Sequence, residues 1–253
     1  MPGRHTVRRA ERLGRWASCT RPRYPLRMAV RSRFDRFHRD LLAWGERNRR
    51  SFGWRSTDDP FRVLVAEILL QRSRGRTVAP VFEKLFDRWP DASALARADI
   101  EEIASVIRPL GLVRRAATLR ALAEAVIDRG SVPRSRDELL DLPGVGPYAA
   151  NATIAVAFGE RAPVVDGVSA RVYRRYLGVD GQGPVSTDPL LRGMVERATP
   201  RSHVREWNWA ILDLAAAVCL PKIPRCPECP LAAHCSWSRA HATVSEPGAR
   251  ILR

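Results

Sequence analysis

Apolar residues begin to recur at helical spacing at Phe34. In FDRFHRDLLAWGERN, residues Phe34, Phe37, Leu41, Leu42 and Trp44 fall on one face, with charged residues between them. A second amphipathic run follows in RSFGWRSTDDPFRVLVAEILLQR, where Asp58, Asp59 and Pro60 form a helix-start signal. The same reading predicts helices over 77–89, 92–97, 99–107 and 113–128, with breaks at Pro90, at Pro109-Leu110-Gly111 and at Gly130. Two short helices flank LPGVG within 135–159, and further helices are expected over 168–178, 189–198 and 203–219. Sustained two-residue alternation is missing, so the predicted fold class is all-α. Residues 1–28 and 239–253 lack an amphipathic pattern and are expected to be disordered tails.

A chain of 253 residues is long enough to bury one or two full cores without disulfides. Its formal charge of +16 favours a polyanionic partner, nucleic acid before an acidic membrane surface. Only Lys84 and Lys222 are lysines, so arginine usage itself carries little information. No apolar run reaches bilayer length, and the N-terminus has no signal-peptide core. The expectation is a protein of the cytoplasm, without a membrane partner. The arginine-rich, acid-poor start reads as a basic tail, a mitochondrial presequence being the rival reading.

Cys219, Cys226, Cys229 and Cys235 give C-x6-C-x2-C-x5-C, with prolines interspersed. Four thiols so close point to a metal centre rather than to disulfides. Spacing alone leaves zinc and an iron-sulfur cluster both open. Cys19 lies apart and reads as an incidental thiol.

The stretch LPGVGPYAANATIAVAFGERAPVVDGVSARV holds a glycine hairpin, Leu142, Gly144, Val145 and Gly146, followed 20 residues after its last glycine by the isolated acid Asp166. The glycines allow a tight turn whose backbone N–H groups point outward at a helix start, a geometry that grips phosphate without reading a base. Leu142 and Val145 would pin the turn between its helices. Glu67 sits in the apolar helix LVAEILLQR, where burial raises a carboxyl pKa and suits it to proton donation. Both acids have plainer roles open to them: Asp166 as a helix N-cap, Glu67 in a structural ion pair.

The hairpin LPGVGPYAANA, the VVDG acid and the cysteine spacing, in that order, resemble the helix-hairpin-helix DNA glycosylases of the endonuclease III and MutY superfamily across roughly residues 34 to 237. That resemblance implies a 4Fe-4S cluster on the four cysteines and a DNA cleft between two domains. A six-helix barrel would occupy 54–161, and a cluster domain 29–53 plus 162–238. It also implies that Asp166 meets the sugar of an extruded nucleotide, with Glu67 and Tyr148 lining the same pocket. Tyr148 stands where bifunctional relatives carry a Schiff-base lysine, which implies a monofunctional enzyme that uses water.

AEILLQRS resembles the glutamate motif of the adenine and the G:T-mismatch thymine glycosylases, with Ala66 and Ser73 as departures. The compact length, and Gln71-Arg72-Ser73 and Gly111-Leu112-Val113 where adenine-specific members differ, favour thymine or uracil opposite guanine. The likeness makes Gln71 and Arg72 DNA-facing, with Arg72 filling the hole left by the base. Trp209 would stand where an apolar wedge inserts, a core role being the alternative. Val168 replaces the asparagine usual in both branches, which removes a polar contact to sugar or water. The expected partner is duplex DNA bearing a mismatched or damaged base, bound by a monomer in a prokaryotic nucleoid. Adenine opposite guanine, or another damaged base, is the alternative target, and a non-catalytic cluster-bearing DNA-binding protein the alternative class.

Overall fold

The computed structural model describes residues 24–111, 113–181, 183 and 187–241. Among these it contains helices and no strand. They are α1 (Tyr24–Asn48), α2 (Pro60–Leu70), α3 (Gly75–Arg88), α4 (Ala92–Ala96), α5 (Ile100–Ile107) and α6 (Arg115–Asp128). They continue with α7 (Arg136–Leu140), α8 (Pro147–Val156), α9 (Gly167–Leu177), α10 (Pro189–Ala198), α11 (Val204–Ala217) and α12 (Ser236–His241).

Local chemistry places most of the boundaries. Asp59 caps α2 by accepting from the Phe61 and Arg62 backbone N–H groups, and Pro60 occupies the first turn, where its missing N–H costs nothing. Asp91, Asp99, Ser135 and Asp188 cap α4, α5, α7 and α10 in the same way. Gly111 ends the turn before α6 at φ +75, a conformation glycine tolerates.

Two large hydrophobic cores result, with a small third cluster of Val63, Val156 and Trp209. One runs from Trp54 to Val164, with Val204 added, and buries Leu64, Ile68, Leu85, Ile103 and Leu119. The other joins the end of α1 to α9, α10, α11 and the cysteine segment, with Phe37 stacked on Tyr176 at 4.0 Å and edge-on to Trp207 at 4.8 Å. The cleft described below lies where α2 and α8 of the first core meet α9 and α11 of the second.

Two boundaries depart from the sequence pattern. α1 starts at Tyr24, ten residues before the amphipathic run, so 24–28 fall in a helix rather than in the expected tail. Pro25 sits in the first turn, where its missing N–H costs nothing, and Leu26, Arg27 and Met28 are good helix formers that carry the helix into the amphipathic run. α12 runs to His241, past the predicted end at 238, because Trp237 packs on the second core and His241 stacks on Trp237 at 3.9 Å. The remaining tail residues, Cys19 and Leu112 lie outside the described residues.

Candidate active site

A cavity of about 470 Å³ opens between the two cores, within the range typical of sites that enclose a small molecule. On α2, Val63, Ala66, Glu67 and Leu70 share one face and line it, while Leu64 and Ile68 point into the core. The Glu67 side chain makes no hydrogen bond or ion pair among the described residues. Burial, reinforced by the nearby Asp166 and opposed by Arg55, pushes its carboxyl up to about 8. The group therefore holds its proton at neutral pH. Tyr148, in the first turn of α8, lines the same cavity, and burial followed by the charges of Glu67 and Asp166 holds its phenol well above the ordinary tyrosine range.

Asp166 caps α9 and also lines the cavity. Its Oδ1 accepts from Val168 N at 2.9 Å, Ser169 N at 2.7 Å and Ser169 Oγ at 2.8 Å, while Ser169 Oγ accepts from Asp166 N. The three bonds to the carboxylate fall on one oxygen. Oδ2 is left to accept from elsewhere, so capping and chemistry need not compete. Val168, one turn-step beyond, is 42% exposed at the cavity edge and offers no polar side-chain atom.

The glycine hairpin lies beside this cavity. Leu142 and Val145 are buried, and Val145 N donates to Leu142 O at 3.1 Å, closing the turn. Gly144 sits exposed at φ +76, and a Cβ there would lie 2.4 Å from Thr118 Cγ2. Gly146 caps α8 through its backbone carbonyl, which accepts from Ala150 N. Gln71 joins hairpin to cavity: its Nε2 donates to Gly144 O at 3.1 Å, and both Gln71 and Arg72 line the cavity rim.

The match to the HhH-GPD superfamily base excision DNA repair protein family covers residues 65–197 and takes in Glu67, the hairpin and Asp166. The chain belongs to this family. It is a DNA glycosylase, a hydrolase of N-glycosidic bonds in base excision repair. The thymine/uracil-DNA glycosylase of Methanothermobacter thermautotrophicus is 35% identical over 200 residues, covering 78% of this chain and 90% of that protein. The adenine DNA glycosylase of Mycolicibacterium smegmatis is 34% identical over 218 residues, covering 85% of this chain and 73% of that one. Among solved structures, a thermostable thymine-DNA glycosylase superposes with a TM-score of 0.78 at 33% identity, covering 84% of this chain and 99% of its own.

In this HhH-GPD glycosylase Trp209 is buried at 6%, packed with Val63 and Val156. It forms cavity wall and does not protrude as a wedge in this conformation. The guanidinium groups of Arg49, Arg55 and Arg205 lie over its ring at 5.5, 5.3 and 5.9 Å. The cysteines Cys219, Cys226, Cys229 and Cys235 are all free thiols and line one small pocket, although no group of three or more donors among the described residues is arranged to hold a single metal ion. Arg175 donates to Cys219 Sγ at 3.4 Å, and Cys235 Sγ donates to the Arg175 carbonyl at 3.3 Å.

Sequence reasoning missed a buried ion pair in the same cleft. Asp213, on α11, is 1% exposed and accepts from Arg55 with both oxygens, at 2.8 and 3.0 Å, and from Arg50 Nε at 2.6 Å. Both arginines line the glycosylase cavity. A lone acid in the apolar run WNWAILDLAAA is the same signal that singled out Glu67, and it was available.

Proposed function

We propose that this glycosylase removes thymine or uracil mispaired with guanine in duplex DNA, by direct hydrolysis and as a monomer. The observation that carries the reading is the convergence of Glu67, Tyr148 and Asp166 on one cavity whose rim is tied to the glycine hairpin. The hairpin amides would hold a phosphate of the damaged strand, positioning one extruded nucleotide with its sugar over Asp166. Departure of the base leaves positive charge on the deoxyribose. Oδ2 of Asp166, which accepts no bond among the described residues, would stabilise that charge and orient water. Glu67, protonated at neutral pH, donates to the leaving base, which departs better as a neutral species. Tyr148 gives the site no lysine with which to form a Schiff base, so strand cleavage does not follow base release.

The likeness to the Methanothermobacter thymine/uracil enzyme and to the thermostable thymine glycosylase fold supports this choice of base. Adenine opposite guanine is the competing target, favoured by the identity to the mycobacterial adenine enzyme. The four free cysteines on one pocket, with no other metal-binding side chain lining it, fit a 4Fe-4S cluster as the ligand set. When bound, such a cluster cross-links 219–235 to the end of α11 and so fixes the second core. The two hydrophobic cores support a division into a barrel domain over 54–161 and a cluster domain over 29–53 plus 162–238.

The test is a panel of duplexes with T:G, U:G, A:G, A opposite 8-oxoguanine, and hypoxanthine, scored for strand cleavage before and after hot alkali. The expected result is cleavage at T:G and U:G only after alkali. Cleavage without alkali overturns the monofunctional mechanism, and action confined to adenine overturns the proposed target.

A further inference from the structure

The loop between α2 and α3 places Arg72 at φ +56, a left-handed conformation that side chains with a Cβ avoid. Something must hold it there. Arg115, the first residue of α6, is 6% exposed and lies on the helix face that also buries Leu119, Leu122 and Val126. Its Nη1 donates to Leu69 O at 2.9 Å and to Ser73 Oγ at 3.3 Å, and its Nη2 donates to Gln71 O. One guanidinium thus ties the chain on both sides of Arg72. Gln71 carries the tie onward to Gly144 of the hairpin.

No carboxylate pairs with Arg115 among the described residues, and the nearby positive charges of Arg114 and Arg72 work against it. Packing alone would be better served by an apolar residue at this position. What only a planar fork with several donors supplies is simultaneous capture of two carbonyls and a hydroxyl.

We propose that Arg115 is a positioning residue for base extrusion: it holds the 69–73 loop so that Arg72 stands at the cavity rim ready to fill the vacated stack, and locks that loop to the hairpin. This deepens the functional reading above and rests on it. The test is single-turnover base release from a U:G duplex by the full chain, comparing wild type, Arg115→Met, Arg72→Ala and the double variant, with thermal melting alongside. Arg115→Met is expected to slow release about 10- to 100-fold, as small misplacements near a reacting centre do. In the Arg72→Ala background the same change should cost less than about 3-fold, because coupled residues are not additive.

Equal slowing in both backgrounds, or none in either, overturns the role of Arg115 while leaving the glycosylase reading intact. A wild type that releases neither uracil nor thymine overturns both. Arg115→Lys guards against misfolding of the methionine variant: it keeps the charge but cannot span both carbonyls, so release should slow in the same direction. A folded lysine variant with the wild-type rate overturns the proposal.

Discussion

Glu67 and Asp166 show how two carboxyls a few residues' reach apart in space acquire different work. The Glu67 carboxyl has no hydrogen-bond partner among the described residues and meets the desolvation penalty by holding a proton, whereas Asp166 is held by backbone donors. Because the folded pKa of about 8 lies above the ordinary value of 4.5, folding takes up a proton between those pH values. Native stability contributed by this group is full below about 4.5 and falls as pH rises to 8. Glu67→Gln is therefore expected to stabilise the fold at pH 8, by on the order of 1–3 kcal/mol, while reducing base release about 10²- to 10⁴-fold. Wild-type release should decline as pH rises through about 8. Melting and single-turnover rates against pH check all three, and an unchanged rate in the variant contradicts the acid role. Glu67 was legible because an acid in an apolar helix is conspicuous. Arg115 was not, since one arginine among so many is invisible until its place on the Leu119-Leu122 face is known.

At the scale of elements, the hairpin shows why a sequence signal of two glycines translates so directly into structure. Gly144 needs positive φ and lacks room for a Cβ, with Thr118 Cγ2 at 2.4 Å and Ile68 Cδ1 at 3.2 Å. Gly144→Ala should accordingly destabilise the protein by about 1–3 kcal/mol and, on the proposed phosphate grip, weaken binding to duplexes with and without a mismatch to a similar degree. Melting and binding titrations measure both; weakened binding to mismatched duplex alone would contradict it. Helix starts were legible where an aspartate or serine caps them, as at Asp59, Asp99 and Ser135. Helix ends that depend on distant packing were not: α12 persists because Trp237 finds the second core, a contact no local pattern encodes.

For the whole molecule, the formal charge of +16 draws the protein to DNA, and two separate cores leave a cleft whose walls come from both. No described helix is long and apolar enough to cross a membrane. The all-α class and the order hairpin, acid, cysteines were readable because each rests on local backbone chemistry or spacing. Asp213 carried the same signal as Glu67, but its partners Arg50 and Arg55 were not legible, because the cluster forms only when the loop after α1 meets α11. The central claim is that the Asp166 carboxylate faces the sugar of an extruded nucleotide. It is tested most directly by Asp166→Asn, which keeps a cap oxygen for Val168 and Ser169, assayed for binding and for base release on one U:G duplex. Release should fall by about 10²-fold or more with the dissociation constant within about 3-fold of wild type; a variant that still releases uracil at the wild-type rate would contradict the account.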